Sequence, residues 1–382
     1  METLKFELHD MATMMTAILC FLFATMIVVS GKFRPACLLA GFFLSQSLVS
    51  LHELVLYGDQ FRYAVLNFSP NWFFIGSLGY AVDGPLLYLF VVSLVRPDFT
   101  LGKQHRWHLI PLVGYALFLI VAFYSQEYGV KRQIIEQYLF DLEWQFISMD
   151  TLIKSSRFFY LMLSIYLINK YREQLKQSRS SIENIDLNWL KILVIGFSLL
   201  TLIGVILSGS KVASLFYQVP VELKIFLGLT TYYADLVLVC FLLFYSAVNV
   251  SSIEKVTNSS KKSYGDYQAD PEYVLRIEAF MDEQKPYRKS TITLDALSEL
   301  MDVPARELTA ILNGHFKMHF YEYINNYRVE EAKEILALDV KQEKTITDVF
   351  SAVGFNSKSV FYTFFKKNVG VTPTEYRKQS VK

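Results

Sequence analysis

Cysteine is scarce in this sequence. Only Cys20, Cys37 and Cys240 occur among 382 residues, each inside or beside an apolar run. They form no CxxC and no cluster with histidine, so neither a disulfide framework nor a cysteine-based metal site is indicated, and packing is their expected role. Charge of one sign is lacking too. The formal net charge is +1, so the overall balance names no partner and charge has to be taken region by region. Also missing are HExxH, GxSxG and a glycine-rich phosphate cradle. The last long apolar run has no central lysine for a Schiff base, only Lys224 at its edge, and His52–Glu53 alone is too small a set for a metal site. No enzyme activity, cofactor or metal is expected on these grounds.

What the chain has in excess is hydrocarbon. Its apolar fraction is 53%, against about 45–50% for an ordinary soluble protein, although the last third is plainly polar. Seven runs are long enough to cross a bilayer as helices, near 12–30, 35–57, 71–95, 107–124, 151–169, 189–209 and 223–249. The fifth is the least apolar, because Lys154 and Arg157 fall in its first half. The first run follows Glu2, Glu7 and Asp10 rather than a positive segment, so it is expected to be a retained span and not a secretory signal.

Loop charges give an expected orientation. Loops 31–35, 96–108 and 169–191 carry ten Lys and Arg in 41 positions, whereas 1–11, 58–70, 125–150 and 210–222 carry five in 63. By the positive-inside rule the first set is cytoplasmic, which puts the N-terminus outside and the C-terminus inside a bacterial cytoplasmic membrane. Polar residues within the spans are costly and mark either function or interhelical pairing. His52 and Glu53 fall in the second span, Asp83 in the third, Arg157 in the fifth and Asp235 in the seventh. A sensor pocket lined by Glu53, Asp83 and Arg157 and open to the outer side is the sharper expectation; pairing that merely fixes the bundle is the blander one. Asp83-Gly84-Pro85 is expected to break or kink the third span.

After Val250 the composition changes. "SSIEKVTNSSKKSYGDYQAD", 251–270, is a polar linker with an expected reach of about 25 Å. Asp270 and Pro271 then suit the start of a helix. Two similar patterns follow. In the first, about 293–313, Leu294, Leu297 and Leu300 are placed on one helix, a turn falls at 302–304, and Leu308, Ile311 and Leu312 lie on the next. In the second, about 345–367, Thr345 and Asp348 form a capping pair and Ile346, Val349 and Val353 face a core. Gly354 ends that helix, Asn356 or Ser357 caps the next, and Phe361, Phe364 and Phe365 form the apolar side of the latter. Between the patterns an amphipathic helix, about 319–338, could hold them at fixed separation. Helix, short turn, helix is the arrangement that places a second helix in a DNA major groove. Lys358, Ser359, Tyr362 and Thr363 fall opposite the phenylalanines at helical spacing, where short polar and basic groups suit base edges and phosphates.

Residues 271–379 resemble the DNA-binding domain of AraC/XylS-type transcription regulators. "GFNSKSVFYTFFKKNVGVTPTEYR", 354–377, matches that family's second helix-turn-helix and its tail almost throughout. "LNGHFKMHFYEYINNYRVEEAKEIL", 312–336, and "DGPLLYLFVVSLVRPDF", 83–99, resemble members whose N-terminal half crosses a membrane several times. The resemblance implies base or phosphate contacts from Ala305, Arg306, Thr309 and Asn313 in the first unit. In the second it implies Lys358, Ser359, Tyr362, Thr363 and Lys366. Ala305 and Ala310 offer no polar group, which makes the first unit the weaker reader of sequence. Charge agrees: 270–382 is net −1 overall, but 341–382 holds eight basic against three acidic residues. Affinity of one domain should be modest, so a homodimer or neighbouring molecules would strengthen binding.

The sequence thus leads to an all-α protein: a seven-helix transmembrane bundle over 1–250, a linker, and an AraC-like domain of two helix-turn-helix units joined by a long helix over 271–382. Its expected partners are promoter DNA, the lipid bilayer and a small-molecule or membrane-protein signal. Glu53, Asp83, Arg157, Asp235 and His52 are the candidate ligand residues. The alternative is a receptor or small-molecule transporter with a helical cytoplasmic interaction module. Proteolytic release of the tail from the linker is a variant of the first.

Overall fold

A computed structural model describes residues 7–30, 36–96, 99–181, 188–248, 271–339 and 343–380. The expected linker, 251–270, with Asp270, lies outside the described residues, as do Lys32 and Arg34 of the first basic loop. In chain order the α-helices are α1 (Leu8–Ser30), α2 (Ala36–Tyr57), α3 (Asp59–Phe68), α4 (Gly79–Val95), α5 (Ile110–Leu119), α6 (Tyr128–Glu136), α7 (Trp144–Ser178), α8 (Asn188–Ala213) and α9 (Val221–Val248). They continue with α10 (Pro271–Gln284), α11 (Leu294–Met301), α12 (Ala305–Gly314), α13 (Phe320–Leu338), α14 (Ile346–Ala352), α15 (Lys358–Val369) and α16 (Pro373–Ser380). Among the described residues there is no β-strand, only an isolated antiparallel bridge between Arg179 and Thr293. The chain divides into two compact units. One comprises Met1–Ile168 with Leu187–Thr257, the other Asn169–Asp186 with Asn258–Lys382. The second therefore includes a stretch that lies next to an apolar run in the sequence, well before the linker.

Among the described residues, seven helical segments are long and apolar enough to cross a membrane: Leu8–Val29, Ala36–Tyr57, Pro70–Val95, Lys103–Tyr124, Trp144–Ser178, Asn188–Ala213 and Val221–Tyr245. Each overlaps one of the seven expected runs, and the fifth extends well past both of its expected ends. α1 shows the physical character of the set. Ala12, Cys20, Phe23, Ala24 and Ile27 face the interior, packed against α2 and α9. Met11, Met15, Ile18, Leu22, Met26 and Val29, at helical spacing on the other side, are all about half exposed or more. The helix is thus apolar all round while only one face is covered by protein. Cys20 packs as expected, but Cys37 and Cys240 are exposed, so packing accounts for only one of the three.

A cluster of aromatic rings, Phe73, Phe74, Phe123, Phe140 and Phe146, fills one part of this unit. α4 runs unbroken through Pro85, so of the expected break or kink at 83–85 the break does not occur. The stretch serves instead as a contact point. A Cβ on Gly84 would sit 3.2 Å from Arg157 Cα, so the glycine lets α7 lie close against α4.

In the second unit each helix-turn-helix has its own apolar core, and α13 contributes to both. Leu294, Leu297, Met301, Leu308, Ile311 and Leu312 pack with Phe320, Tyr323 and Ile324. Val349, Val353, Phe355, Phe361, Phe364 and Phe365 pack with Tyr321, Val329, Ala332 and Leu336. Leu294, Leu297 and Leu300 share α11 as expected; Leu300 is 59% exposed, whereas Met301 is buried. Counting from Leu294, a helix returns to the same face at the third and seventh residues, not the sixth. Caps define the ends. Thr293 Oγ1 accepts from Ala296 N at 3.2 Å, and Thr345 and Asp348 satisfy each other's backbone N–H at 3.1 and 2.8 Å. Gly354 has φ 96°, and a Cβ there would lie 2.6 Å from the carbonyl oxygens of Tyr287 and Arg288. Glycine is thus required both for the turn and for the close approach of the second helix-turn-helix to the first.

Two buried charges of α13 complete this unit. Arg328, 1% exposed, donates to the carbonyl oxygens of Tyr287 (2.8 Å) and Lys289 (3.1 Å) and to Asn325 Oδ1 (3.0 Å). Its guanidinium also lies 5.5 Å from the centre of the Phe355 ring. One turn on, buried Glu331 accepts from Lys285 Nζ at 3.0 Å and from Arg288. Burial alone would lift the Glu331 carboxyl, but the hydrogen bonds and charges of Arg288 and Lys285 hold it below the ordinary glutamate value of 4.5. Because the folded value is the lower one, Glu331 stabilises the fold fully above about pH 4.5, and that contribution disappears as pH falls through the folded value. Thermal unfolding of the second unit followed from pH 7 to pH 3 should show this loss. In Glu331→Gln, stability at pH 7 should be lower and this part of the acid slope absent; an unchanged slope would count against the assignment.

Candidate nucleic-acid interface and a polar pocket

The surface of the second unit that faces away from its cores is defined by two helices. On α15 the inward residues are Phe361, Phe364 and Phe365. Lys358, Ser359, Thr363 and Lys366 are exposed and Tyr362 is partly so. Their spacing, 358–362–366 and 359–363, makes a single stripe along the helix. Ser357 caps α15, its Oγ 3.5 Å from Val360 N, which fixes where the stripe begins. Lys358 Nζ lies 5.7 Å from the centre of the Tyr362 ring, and Tyr362 Oη is 3.3 Å from Thr374 Oγ1 on α16. Thr363 Oγ1 donates to Ser359 O at 2.9 Å, which directs its methyl outward and leaves its oxygen free to accept. The stripe offers two ammonium groups, hydroxyls and a methyl, a set suited to phosphates and to major-groove edges.

On α12 the exposed residues are Arg306 and Asn313, with Ala305 and Thr309 partly buried beside them. Thr309 Oγ1 donates to Ala305 O at 2.8 Å, and Asn313 Oδ1 lies 3.1 Å from His319 Nδ1. This stripe carries one cation against two in the stripe of α15. Two further arginines of the unit, Arg328 and Arg377, are buried and are not part of either stripe.

The first unit holds a pocket between its helices, and the structure sorts the candidate residues around it. Glu53, Arg157 and Asp235 line it, with Tyr80, Lys154 and Tyr232. Asp83 is fully buried behind the lining and binds Arg157, Nε to Oδ2 at 2.9 Å. Gln46 bridges that pair: its Nε2 donates to Asp83 Oδ2 at 2.9 Å and its Oε1 accepts from Arg157 Nη2 at 3.3 Å. Glu53 accepts from Tyr80 Oη at 2.6 Å and Tyr232 Oη at 3.1 Å, and Lys154 binds Asp150 at 2.9 Å. Asp235 makes no hydrogen bond or ion pair among the described residues. His52 is buried against Phe74, ring centres 5.7 Å apart, and is not one of the lining residues. Gln46, Tyr80 and Tyr232 were missed by sequence reasoning. A tyrosine or glutamine within an apolar run carries no local mark of the carboxylate it meets across the bundle.

A family profile described as a helix-turn-helix domain matches residues 297–379. The Melibiose operon regulatory protein of Escherichia coli (strain K12) is 28% identical over 108 residues, covering 28% of this chain and 34% of that protein. The uncharacterized HTH-type transcriptional regulator YijO of the same organism is 29% identical over 104 residues, 27% of this chain and 35% of that one. The chain thus spans about a third of the length of these relatives. A solved structure of a protein of unknown function from Listeria innocua is 27% identical, with 28% of this chain and 94% of that one covered and a TM-score of 0.24. The C-terminal part of this chain is therefore an AraC-type helix-turn-helix domain, and it follows a half that contains seven helices of membrane-crossing length and apolarity.

Proposed function

We propose that the chain is a transcription regulator embedded in a bacterial cytoplasmic membrane, with its N-terminus outside and its AraC-type domain in the cytoplasm, binding promoter DNA in a sequence-specific manner. The observation that carries this is the presence in one chain of seven long apolar helices and an AraC-type helix-turn-helix domain. The uncovered apolar face of α1 supports a hydrocarbon surround, since water would drive such a face into a protein core. The basic bias of loops 96–108 and 169–191 supports the orientation. Regulatory names among the relatives support the role in transcription. Docking is dominated by α15, with α12 as the weaker reader, and a dimer strengthens the hold.

The pocket of the first unit is the proposed signal site. Its fixed charges divide into two sets. Asp83, Gln46 and Arg157 satisfy one another and hold α2, α4 and α7 together, which is a structural role. Glu53 and Asp235 are acidic groups facing the cavity with only tyrosines, or nothing, bonded to them, and these are placed to bind a ligand that carries a positive or hydrogen-bond-donating group. A ligand that prefers one arrangement of the helices shifts the population of that arrangement and so the activity of the reader.

Three outcomes are expected. Genome-wide mapping of DNA bound by the full-length protein should give discrete promoter-proximal sites; a chain with Lys358, Ser359 and Tyr362 all replaced by alanine that left every transcript unaltered would favour the receptor or transporter reading instead. At any mapped site, Lys366→Ala should weaken binding about equally across sequences and lower the dependence of log affinity on log salt by about one, whereas Ser359→Ala should change sequence preference. Within the membrane half, Arg157→Gln strands the buried Asp83 carboxylate and should cost about 3–5 kcal/mol of stability, measured by thermal unfolding in detergent. Asp235→Asn should leave stability within about 1 kcal/mol yet alter the transcriptional response. If both variants were equally destabilised, Asp235 would belong to the structural set and the signal site would lose its main support.

A further inference from the structure

Helix α7 is 35 residues long, well beyond the roughly 20 that a hydrocarbon crossing requires. Its residues up to Ile168 belong to the first unit, and Asn169–Ser178 with the residues that follow belong to the second. Within the second unit this tail is built into the interior. Arg179 bridges to Thr293 as a short antiparallel pair. Ser180, 1% exposed, donates from N and from Oγ to Ile292 O at 3.3 and 2.7 Å. Its carbonyl oxygen accepts from Asn325 Nδ2 and Arg328 Nη1, each at 3.3 Å. Ser181 Oγ accepts from Asn356 Nδ2 at 3.3 Å.

Those three residues therefore touch each part of the reader at a point that sets its geometry. Thr293 is the cap of α11, Asn325 and Arg328 lie on the shared helix α13, and Asn356 lies in the turn that aims α15. We infer that residues 179–181 are the input through which the membrane half governs the DNA reader: docked, they hold the two helix-turn-helix units in one relation, and withdrawn, they release it. This rests on the proposed reading of the second unit as a DNA reader. The segment is suited to the task because it directly follows a continuous helix. Sliding a helix by a single residue moves its end by about 1.5 Å, enough to take hydrogen bonds of 2.7–3.3 Å out of range. Arg328 keeps its bonds to Tyr287, Lys289 and Asn325 when the tail leaves, so undocking loosens the reader without exposing an unpaired charge. Two groove-reading helices bind best when their separation is fixed beforehand, because less ordering is left for the DNA to impose.

The test uses the full-length chain in its own membrane, with Cys20, Cys37 and Cys240 replaced by serine and a protease site inserted within 251–270. In S181C/N356C, mild oxidation followed by cleavage should leave the C-terminal fragment joined to the membrane fragment until reductant is added. The single-cysteine parents should release it. Chromatin occupancy of the oxidised double variant should equal or exceed that of the reduced one. Replacing Arg179, Ser180 and Ser181 together by glycine should lower occupancy by about fivefold or more at equal membrane abundance. Failure of the disulfide to form, loss of occupancy on oxidation, or wild-type occupancy in the triple-glycine chain would each overturn the relay while leaving the DNA reading intact. A wild-type chain that occupied no DNA would overturn both.

Discussion

A guanidinium group with no access to water is the constraint around which the second unit is organised. Arg328 carries five donor hydrogens in a planar fork, and a buried cation left unpaired would be intolerable. Its neighbours answer mostly with main-chain carbonyls, which no side-chain substitution can remove, and Asn325 adds its side-chain Oδ1. Tyr287 and Lys289 come from the turn before α11, Ser180 comes from the tail of α7, and Asn325 sits one turn back on the same helix. The face of Phe355, in the turn of the second helix-turn-helix, lies beside the group. One side chain thus gathers segments far apart in sequence to one point. Gly354 acts at the same junction from the other direction, because only a residue without Cβ lets that turn approach Tyr287 and Arg288 so closely.

The first unit obeys the same rule. Seven apolar helices satisfy their own backbones, so what distinguishes one bundle from another is how its few polar side chains are answered. Asp83 and Arg157 neutralise each other, Gln46 supplies the remaining donor and acceptor, and Gly84 makes room for α7 to bring Arg157 within reach. Glu53 and Asp235 stand apart from that closed set. They face the cavity, which Lys154 and Arg157 also line.

The reading stripes follow from ordinary amphipathic packing. Once Phe361, Phe364 and Phe365 enter the second core, helical geometry leaves Lys358, Ser359, Tyr362, Thr363 and Lys366 pointing away from it. In the first unit Leu308, Ile311 and Leu312 do the same for Arg306 and Asn313. The asymmetry between the two exposed stripes is therefore one of chemistry and not of architecture. α12 presents a single exposed cation, Arg306, whereas α15 presents three exposed lysines, Lys358, Lys366 and Lys367.

The all-α character, the seven apolar helices, the capping boxes and most of the two cores were legible in the sequence because each depends on residues within one or two turns of one another. Even there a single step of the helical count matters: Leu300 is exposed and Met301 occupies the core, since position along the helix outranks hydrophobicity. Candidate site residues were legible as types and not as roles. Asp83, Asp235, Glu53 and His52 are indistinguishable as polar residues in apolar runs, and only packing made the first a strut, the next two cavity groups and the last a neighbour of Phe74. The tail of α7 was read as a basic loop, because nothing near Ser180 announces Arg328, 148 residues away. The sequence by itself determined the long apolar helices and the apolar faces of the two helix-turn-helix units, because those are local balances of backbone bonding and burial; the short helices α3 and α6 fall in stretches read as loops. Only the tertiary structure decided which buried charge meets which partner, because a desolvated charge is satisfied by whatever the whole chain brings within about 3 Å of it.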